Sequence, residues 1–498
     1  MVKAMTNRPS LLLIAVAALS LIGCPGGGDG GPSNNSLASS GNLVYLADQN
    51  TDGVFELFLA SSGAKLNGPL VAGGSVTSFV LTPDKSAVVY IADETTDEVF
   101  ELYRVSIATP GISVKLNGNM VLGGDVTNFA ITADGTSVVY LADQRIDQVF
   151  EVFRVLFSTP QASTLLNPAL AAGRTVTQFA VTPDSTKVVY IADQDTNNVD
   201  ELYQVAFLAP LLSQKLNNPL VAGGNVTNVA VTPNSASVVY LADQRLDQVF
   251  ELFVSPITGP GAATPLNPPL NAPQSVRSFA VTPDSTAVIY RADQFIAGTI
   301  ELFRVALAVP QTITTLNGAL LPGRNVTAFT IAPDGSSVVY RADQDVFSVF
   351  ELFRAPLAPI GPAQKINPNF AAPQSITDSA FAITPDSSAA VYIADQTVPT
   401  LPQLYRVPFS CLQANPASSC PQAVPPPANL PPLNGPLAPG GHVSSFAVSP
   451  DSSLVFYLAD QTTFGVTELY AVNIGSPGTS SKLNGPLVPG GNVTAFAF

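Results

Sequence analysis

The sequence predicts an all-β protein, a single closed β-propeller of four-stranded antiparallel blades, most simply nine of them. Three observations predict it. The phrase VVYIADETTDEVFELYR at 88–104 returns nine times, its tyrosine falling at Tyr45, Tyr90, Tyr140, Tyr190, Tyr240, Tyr290, Tyr340, Tyr392 and Tyr457. Five successive intervals are 50 residues and the others 45, 52 and 65, a period that marks stacked units, none able to bury its apolar faces alone. Each unit holds four short apolar or alternating segments parted by turn residues, the signature of a four-stranded blade. Finally, the two ends are complementary. The first unit opens at Gly41-Asn42-Leu43-Val44-Tyr45, in the second strand of a blade, and the last stops at 493–498, VTAFAF, after a first strand. One blade built from both termini closes the ring and removes its exposed edges. An open stack of sheets is the remaining alternative; two smaller rings would need a second pair of half-blades in mid-chain, which the spacing does not offer.

Taken from the start, residues 1–23 set Lys3 and Arg8 ahead of the apolar run 11–21, the layout of a secretory signal rather than a spanning helix. The run ends in Leu21-Ile22-Gly23-Cys24, which resembles the lipobox of bacterial lipoproteins. That resemblance implies acylation of Cys24 and a place in the cell envelope, lipid-anchored. Pro25 follows the cysteine where many inner-membrane lipoproteins carry aspartate, so the outer membrane is the expected address in a cell that has two. Residues 24–41, the lipidated cysteine and PGGGDGGPSNNSLASSG, form a flexible tether. The propeller is expected to fill 42–498.

Within the second unit, 76–81 is a strand, Thr82-Pro83-Asp84-Lys85 a tight turn, 88–92 the next strand, 93–98 a loop and 99–105 the third strand. Pro110-Gly111 introduces a fourth that ends at Lys115-Leu116-Asn117, and 118–124 leads to the next unit. The markers Thr82-Pro83-Asp84, Tyr90-Ile91-Ala92-Asp93 and Glu101-Leu102-Tyr103-Arg104-Val105 resemble the TolB-type, WD40-like propeller repeat. Departures are local: Ala133, Asn234 and Gln403 replace a proline, an aspartate and a glutamate of the pattern. The TolB N-terminal domain has no counterpart here, so the resemblance implies fold and extracytoplasmic life rather than that protein's partners. In the eighth unit a proline-rich insertion, 409–432, carries Cys411 and Cys420, which an oxidising compartment would join as a disulfide.

Composition narrows the function. Apolar residues are 46% and charged ones 11%, which suits sheets buried on both faces. A net charge of −15 disfavours nucleic acid and anionic lipid headgroups as partners. The single histidine, His442, excludes a His-rich metal centre; no Gly-x-Ser-x-Gly elbow is present; and no tryptophan is available to stack on sugars.

A residue present in every blade does the blade's structural work, so Asp93 and its equivalents are expected to hold turns. Candidate sites are the positions that break the repeat. Asp125 and His442 belong to a series, with Ser75, Thr175, Asn225, Ser275, Asn325, Ser375 and Asn492, that opens each innermost strand and is expected to form a polar rim at one mouth of the channel. Arg291 and Arg341 replace the Leu or Ile after the motif tyrosine in neighbouring units, and with Arg277 and Arg324 they outline a basic patch for a carboxylate or phosphate. In the first unit, Asp48, Asn50, Asp52 and Glu56 with Gly53 resemble the calcium loops of integrin-type propellers. Asp193, Asp195, Asn197 and Glu201 are a weaker match. Most other copies lack the oxygens, Arg145, Arg245, Phe295 and Phe347 standing in ligand positions, so a metal-free turn is favoured over calcium. The expectation is a monomeric, non-enzymatic, lipid-anchored module that binds a protein or peptide. The alternative is a carbohydrate-active or other envelope enzyme with carboxylates at the channel mouth.

Overall fold

The computed structural model describes residues 42–259, 263–370, 372–409 and 430–498. Over these residues the chain forms strands and turns and no helix, arranged as nine antiparallel sheets in a ring. Seven sheets have four strands among the described residues and two have three. The expected nine-bladed propeller is what the chain builds.

Each blade begins near the axis with a strand such as Val76–Leu81, whose register shifts between Val76 and Ser78. The same irregularity recurs at the Val-Thr step of other blades. The threonine there caps the neighbouring strand, Thr77 and Thr127 donating to the carbonyls of Ile91 and Leu141 at 3.4 Å. A bulge of this kind bends the strand and raises its twist, as nine blades around one axis require.

The second strand, Ala87–Ala92, is buried along its whole length because a neighbouring blade covers each face. That explains a continuous Val-Val-Tyr-Ile-Ala where a half-exposed strand would alternate. Tyr90 stacks on Tyr103 of the third strand, ring centres 5.7 Å apart. Its hydroxyl donates to Glu94 at 2.5 Å and accepts the N–H of Gly68, from the preceding blade, at 3.3 Å. In other blades a glutamine takes the Glu94 role, as in Tyr45–Gln49 and Tyr140–Gln144. A buried tyrosine needs such partners, so the motif tyrosine is both core and joint.

The third strand, Glu101–Ser106, starts two residues later than the sequence pattern suggests. The reason is that the Phe100 N–H leaves the ladder and donates at 2.8 Å to Asp125 of the next blade. The outer strand is short, Ser113–Lys115, and Asn117 finishes it: its Oδ1 accepts the Leu102 N–H at 2.7 Å and its Nδ2 donates to the Gly118 carbonyl at 2.9 Å. The eighth sheet has no outer strand among the described residues. Cys411 and Cys420 lie outside the described residues, as do Cys24 and the tether.

Closure follows the expected route. Val493–Ala497 pairs antiparallel with Val44–Ala47, Tyr45 opposite Phe496, and Val44–Ala47 pairs in turn with Glu56–Leu59. Val493 is buried with Tyr45, Phe58 and Phe456, while Phe496 and Phe498 are half-buried against the same cluster.

Candidate binding face

The loops joining second to third strands lie at one end of the blades, beside the linkers that enter the innermost strands; a side chain at Gly73 or Gly223 would run into Asp97 or Asp247 of these loops. Each loop is set by the motif aspartate. Asp93 Oδ1 accepts the Ser75 N–H at 2.5 Å and Oδ2 the Glu98 N–H at 3.3 Å. Asp143, Asp193 and Asp293 repeat both bonds. The last loop residue turns through the left-handed region, with φ of 59° at Glu98 and 65° at Gln148, and glycine serves the position at Gly53, Gly298 and Gly465. The two loop residues before it are thereby held outward.

The residues opening the innermost strands do not form a free polar rim. Asp125 accepts the Phe100 N–H, and Asn225, Ser275, Asn325 and Asn492 accept the corresponding N–H of Asp200, Phe250, Ile300 and Thr467 at 2.8 to 3.1 Å. Each therefore clasps its blade to the one before. His442, half-exposed, instead sets Nδ1 3.2 Å from Asp460 Oδ1 in its own blade.

The four arginines take different places. Arg324 Nη1 donates to the Gln344 carbonyl at 2.7 Å, and Arg277 pairs with Asp293 at 3.2 Å. Arg291 reaches across the blade joint to the carbonyls of Val326 and Thr327. Arg341 repeats the move one blade on, donating to the Ile376 carbonyl at 2.9 Å, to Thr327 Oγ1 at 2.7 Å and to Asp378 at 3.2 Å, its guanidinium 3.9 Å from the Phe350 ring centre. Burial pushes the pKa of both Arg291 and Arg341 down, against the opposing charge of Asp378. Arg291 and Arg341 meet at Thr327 as a pair of inter-blade struts, while Arg277 and Arg324 bond to Asp293 and the Gln344 carbonyl within their own blades.

The first-unit loop spends its oxygens internally. Asp48 Oδ2 accepts the Gly53 N–H at 3.0 Å and its Oδ1 the Asn492 N–H, while Asn50 donates to Glu56 at 3.1 Å and the Lys65 ammonium lies 2.5 Å from Glu56. Asp52 lies instead beside Gly490 of the adjoining linker. In the fourth unit Lys215 lies between Asp195 and Glu201 at 2.9 and 2.6 Å. Among the described residues no three of His, Cys, Asp or Glu are grouped to hold a metal ion, and the carboxylates of Asp48, Glu56, Asp195 and Glu201 already have partners within the blades.

Three features escaped the sequence reading. The third-strand glutamate has a cation in seven blades: from the outer strand at Lys65, Lys115, Lys215, Lys365 and Lys482, or from the loop at Arg145 and Arg245. Glu301 alone of these glutamates has none among the described residues, since Phe295 and Thr315 occupy the two donor positions; burial pushes its carboxyl up, with Asn317 opposing. Asp200 stands where Phe55, Phe100, Phe150, Phe250 and Phe350 supply an aromatic ring, and burial, then the charge of Asp193, pushes its carboxyl up to about 6.

The third feature lies at the loop tips. The residue before the left-handed position is Asp52, Asp97, Asp147, Asn197 and Asp247 in five consecutive blades, then Ala297, Phe347, Pro399 and Phe464 in the next four, all exposed. Phe295, Ile296, Val346 and Val398 widen the apolar arc; Phe347 and Phe464 are 64% and 65% exposed. Two crevices elsewhere, of about 220 and 310 Å³, sit at blade junctions and reach at most the low end of the roughly 300–1,000 Å³ usual for small-ligand pockets.

No family model matches the sequence, and no curated protein matches it. Solved structures do. The dipeptidyl peptidase 4 of Porphyromonas gingivalis is 10% identical with a TM-score of 0.55, the match covering 80% of this chain and 58% of that one. A structure described as the eukaryotic initiation factor is 10% identical with a TM-score of 0.53, over 92% and 98% of the two chains. A putative TolB from Agrobacterium tumefaciens is 13% identical over 48% and 79%, with a TM-score of 0.31, too slight to rest anything on. The chain spans about half the length of several solved chains that it matches. At these identities the likeness is one of fold.

Proposed function

We propose that the protein is a non-enzymatic binding or scaffold module, anchored by lipid at Cys24 in the bacterial cell envelope, which meets a protein or peptide partner through the loop face as a monomer. One observation carries the reading. Of the residues that break the repeat, the polar Asp125, Arg277, Arg291, Arg324, Arg341 and His442 are spent on bonds within or between blades, whereas Phe295, Ile296, Val346, Phe347, Val398 and Phe464 stand exposed on four adjacent loops. Exposed apolar surface collected on one face marks an interaction site. Asn42 donates to the carbonyl of Lys85 at 2.8 Å, in a Thr-Pro-Asp turn at the end of the blades opposite the loops.

The test places a photo-crosslinking residue at position 347 or 464, or at Thr186 on the turn face as a control, in cells producing the protein. A discrete protein adduct is expected from 347 and 464 and none from 186. No adduct at either loop position, or equal adducts at all three, overturns the reading. Separately, Cys24→Ser is expected to move the protein out of the membrane fraction with its melting temperature unchanged. Continued membrane association would contradict the anchor.

A further inference from the structure

Resting on that reading, we propose that the loop face binds a cationic amphipathic segment of its partner, with apolar side chains seated on the arc of Phe295, Phe347 and Phe464 and a lysine or arginine taking the ion pair that Glu301 lacks. Three observations converge. The tips Ala297, Phe347, Pro399 and Phe464 run over four consecutive blades and are bordered on the ring by the tips Asp52, Asp97, Asp147, Asn197 and Asp247, none of whose aspartates is ion-paired among the described residues. A partner covering the apolar arc meets negative charge at its rim, and complementarity requires that it bring positive charge.

Glu301 supplies the same demand inside the apolar arc. Thr315 faces Phe303 across the outer ladder just as Lys115 faces Tyr103, Lys215 faces Tyr203 and Lys365 faces Phe353. The blade therefore retains the acceptor that other blades pair with an ammonium and omits the donor. Phe295, which replaces the loop arginine of Arg145 and Arg245, stands edge-on to Phe303 at 5.5 Å and is itself 60% exposed. An incoming lysine would find at Glu301 the carboxylate environment that Lys115 or Lys365 finds at home, with an aromatic ring alongside for its neighbour. The third observation is negative charge overall: at −15 the body attracts a basic segment from a distance and repels an acidic one.

The probe is a fluorescein-labelled octapeptide alternating phenylalanine with lysine, titrated by anisotropy against the purified full chain. Two matched controls carry glutamate for lysine, or serine for phenylalanine. The phenylalanine–lysine peptide is expected to bind at least about ten-fold more tightly than either control, and less tightly as salt is raised. Phe347→Ser with Phe464→Ser is expected to weaken it about ten-fold, and Thr315→Lys, which supplies the missing ammonium from within the blade, about three-fold. Glu301→Gln should match Thr315→Lys without requiring a new ion pair to form. Equal binding of the glutamate peptide, or binding indifferent to the paired phenylalanine substitutions or to both Thr315→Lys and Glu301→Gln, overturns the proposal. If photo-crosslinking at 347 still captures a protein in that event, the binding-module reading stands and only the chemistry of the partner is wrong.

Discussion

At the scale of single residues, a repeat protein offers an internal control, since eight other copies show what a position ordinarily does. Asp200 is the clearest case. Its folded pKa of about 6 lies above the usual carboxylate value of 3.8. The folded state therefore binds a proton more readily than the unfolded one between about pH 4 and 6, and this group's contribution to stability rises as pH falls through that window. Asp200→Phe, restoring the ring found at Phe150 and Phe250, is expected to raise stability at pH 7 by about 1–2 kcal/mol and to remove that contribution, as read by melts at pH 7 and pH 5. A variant melting at or below the parent at pH 7 would contradict this account. The sequence made such positions visible and left their bonds hidden. Arg291 and Arg341 stood out as charges in an apolar column, and a surface patch was a fair expectation. Nothing local says that each guanidinium reaches a carbonyl some 35 residues on, because the blade joint that brings them together is a product of the ring.

At the scale of elements, the Thr-Pro-Asp turn between first and second strands was legible, and so was its chemistry. The Thr82 hydroxyl and then the Ser86 N–H hold the Asp84 carboxyl down at about 2. Asp184, Asp284 and Asp386 are also held low, against the opposing effect of burial, by a threonine hydroxyl in each turn. A carboxylate whose folded pKa is depressed contributes stability that is present above its unfolded pKa and lost as pH falls. The melting temperature is therefore expected to drop between about pH 4 and pH 2. Asp184→Asn should blunt the drop while keeping the fold, because the natural Asn234 already accepts the same two bonds, from Thr232 Oγ1 and the Ala236 N–H. A drop as steep in Asp184→Asn as in the parent would assign acid sensitivity elsewhere. The turns also join blades: the N–H of Asp134, Asp184 and Asn234 donates to the serine hydroxyl of the next turn, Ser185, Ser235 and Ser285, at 3.0 to 3.1 Å. Those bonds were not legible, since Thr-Pro-Asp-Ser looks complete as a local turn and only the ring places its serine beside the previous one.

At the scale of the whole molecule, period, strand count and closure could all be read from the sequence, because nine copies of one phrase and two complementary ends leave few ways to pair. The division of the loop face could not, although its residues are plain in the sequence: Asp97 and Phe464 acquire meaning as opposite arcs only when nine loops are set around one axis. That surface exists as one body only if the blade made from both termini is joined. Deleting residues 493–498 removes the innermost strand of that blade, with buried Val493 and the half-buried Phe496 and Phe498, and uncovers Tyr45 and Phe456. By the burial of those side chains alone the loss is on the order of 4 kcal/mol, a large share of the roughly 5–15 kcal/mol that holds a domain folded. The direct measurement is thermal unfolding of the full chain beside the chain ending at Asn492, with limited proteolysis of both. A closed ring requires a marked fall in melting temperature, early cleavage near residue 42 and aggregation through the opened edges; unchanged melting and solubility would mean that the blades stand without this joint, and the single loop face built on it would fall.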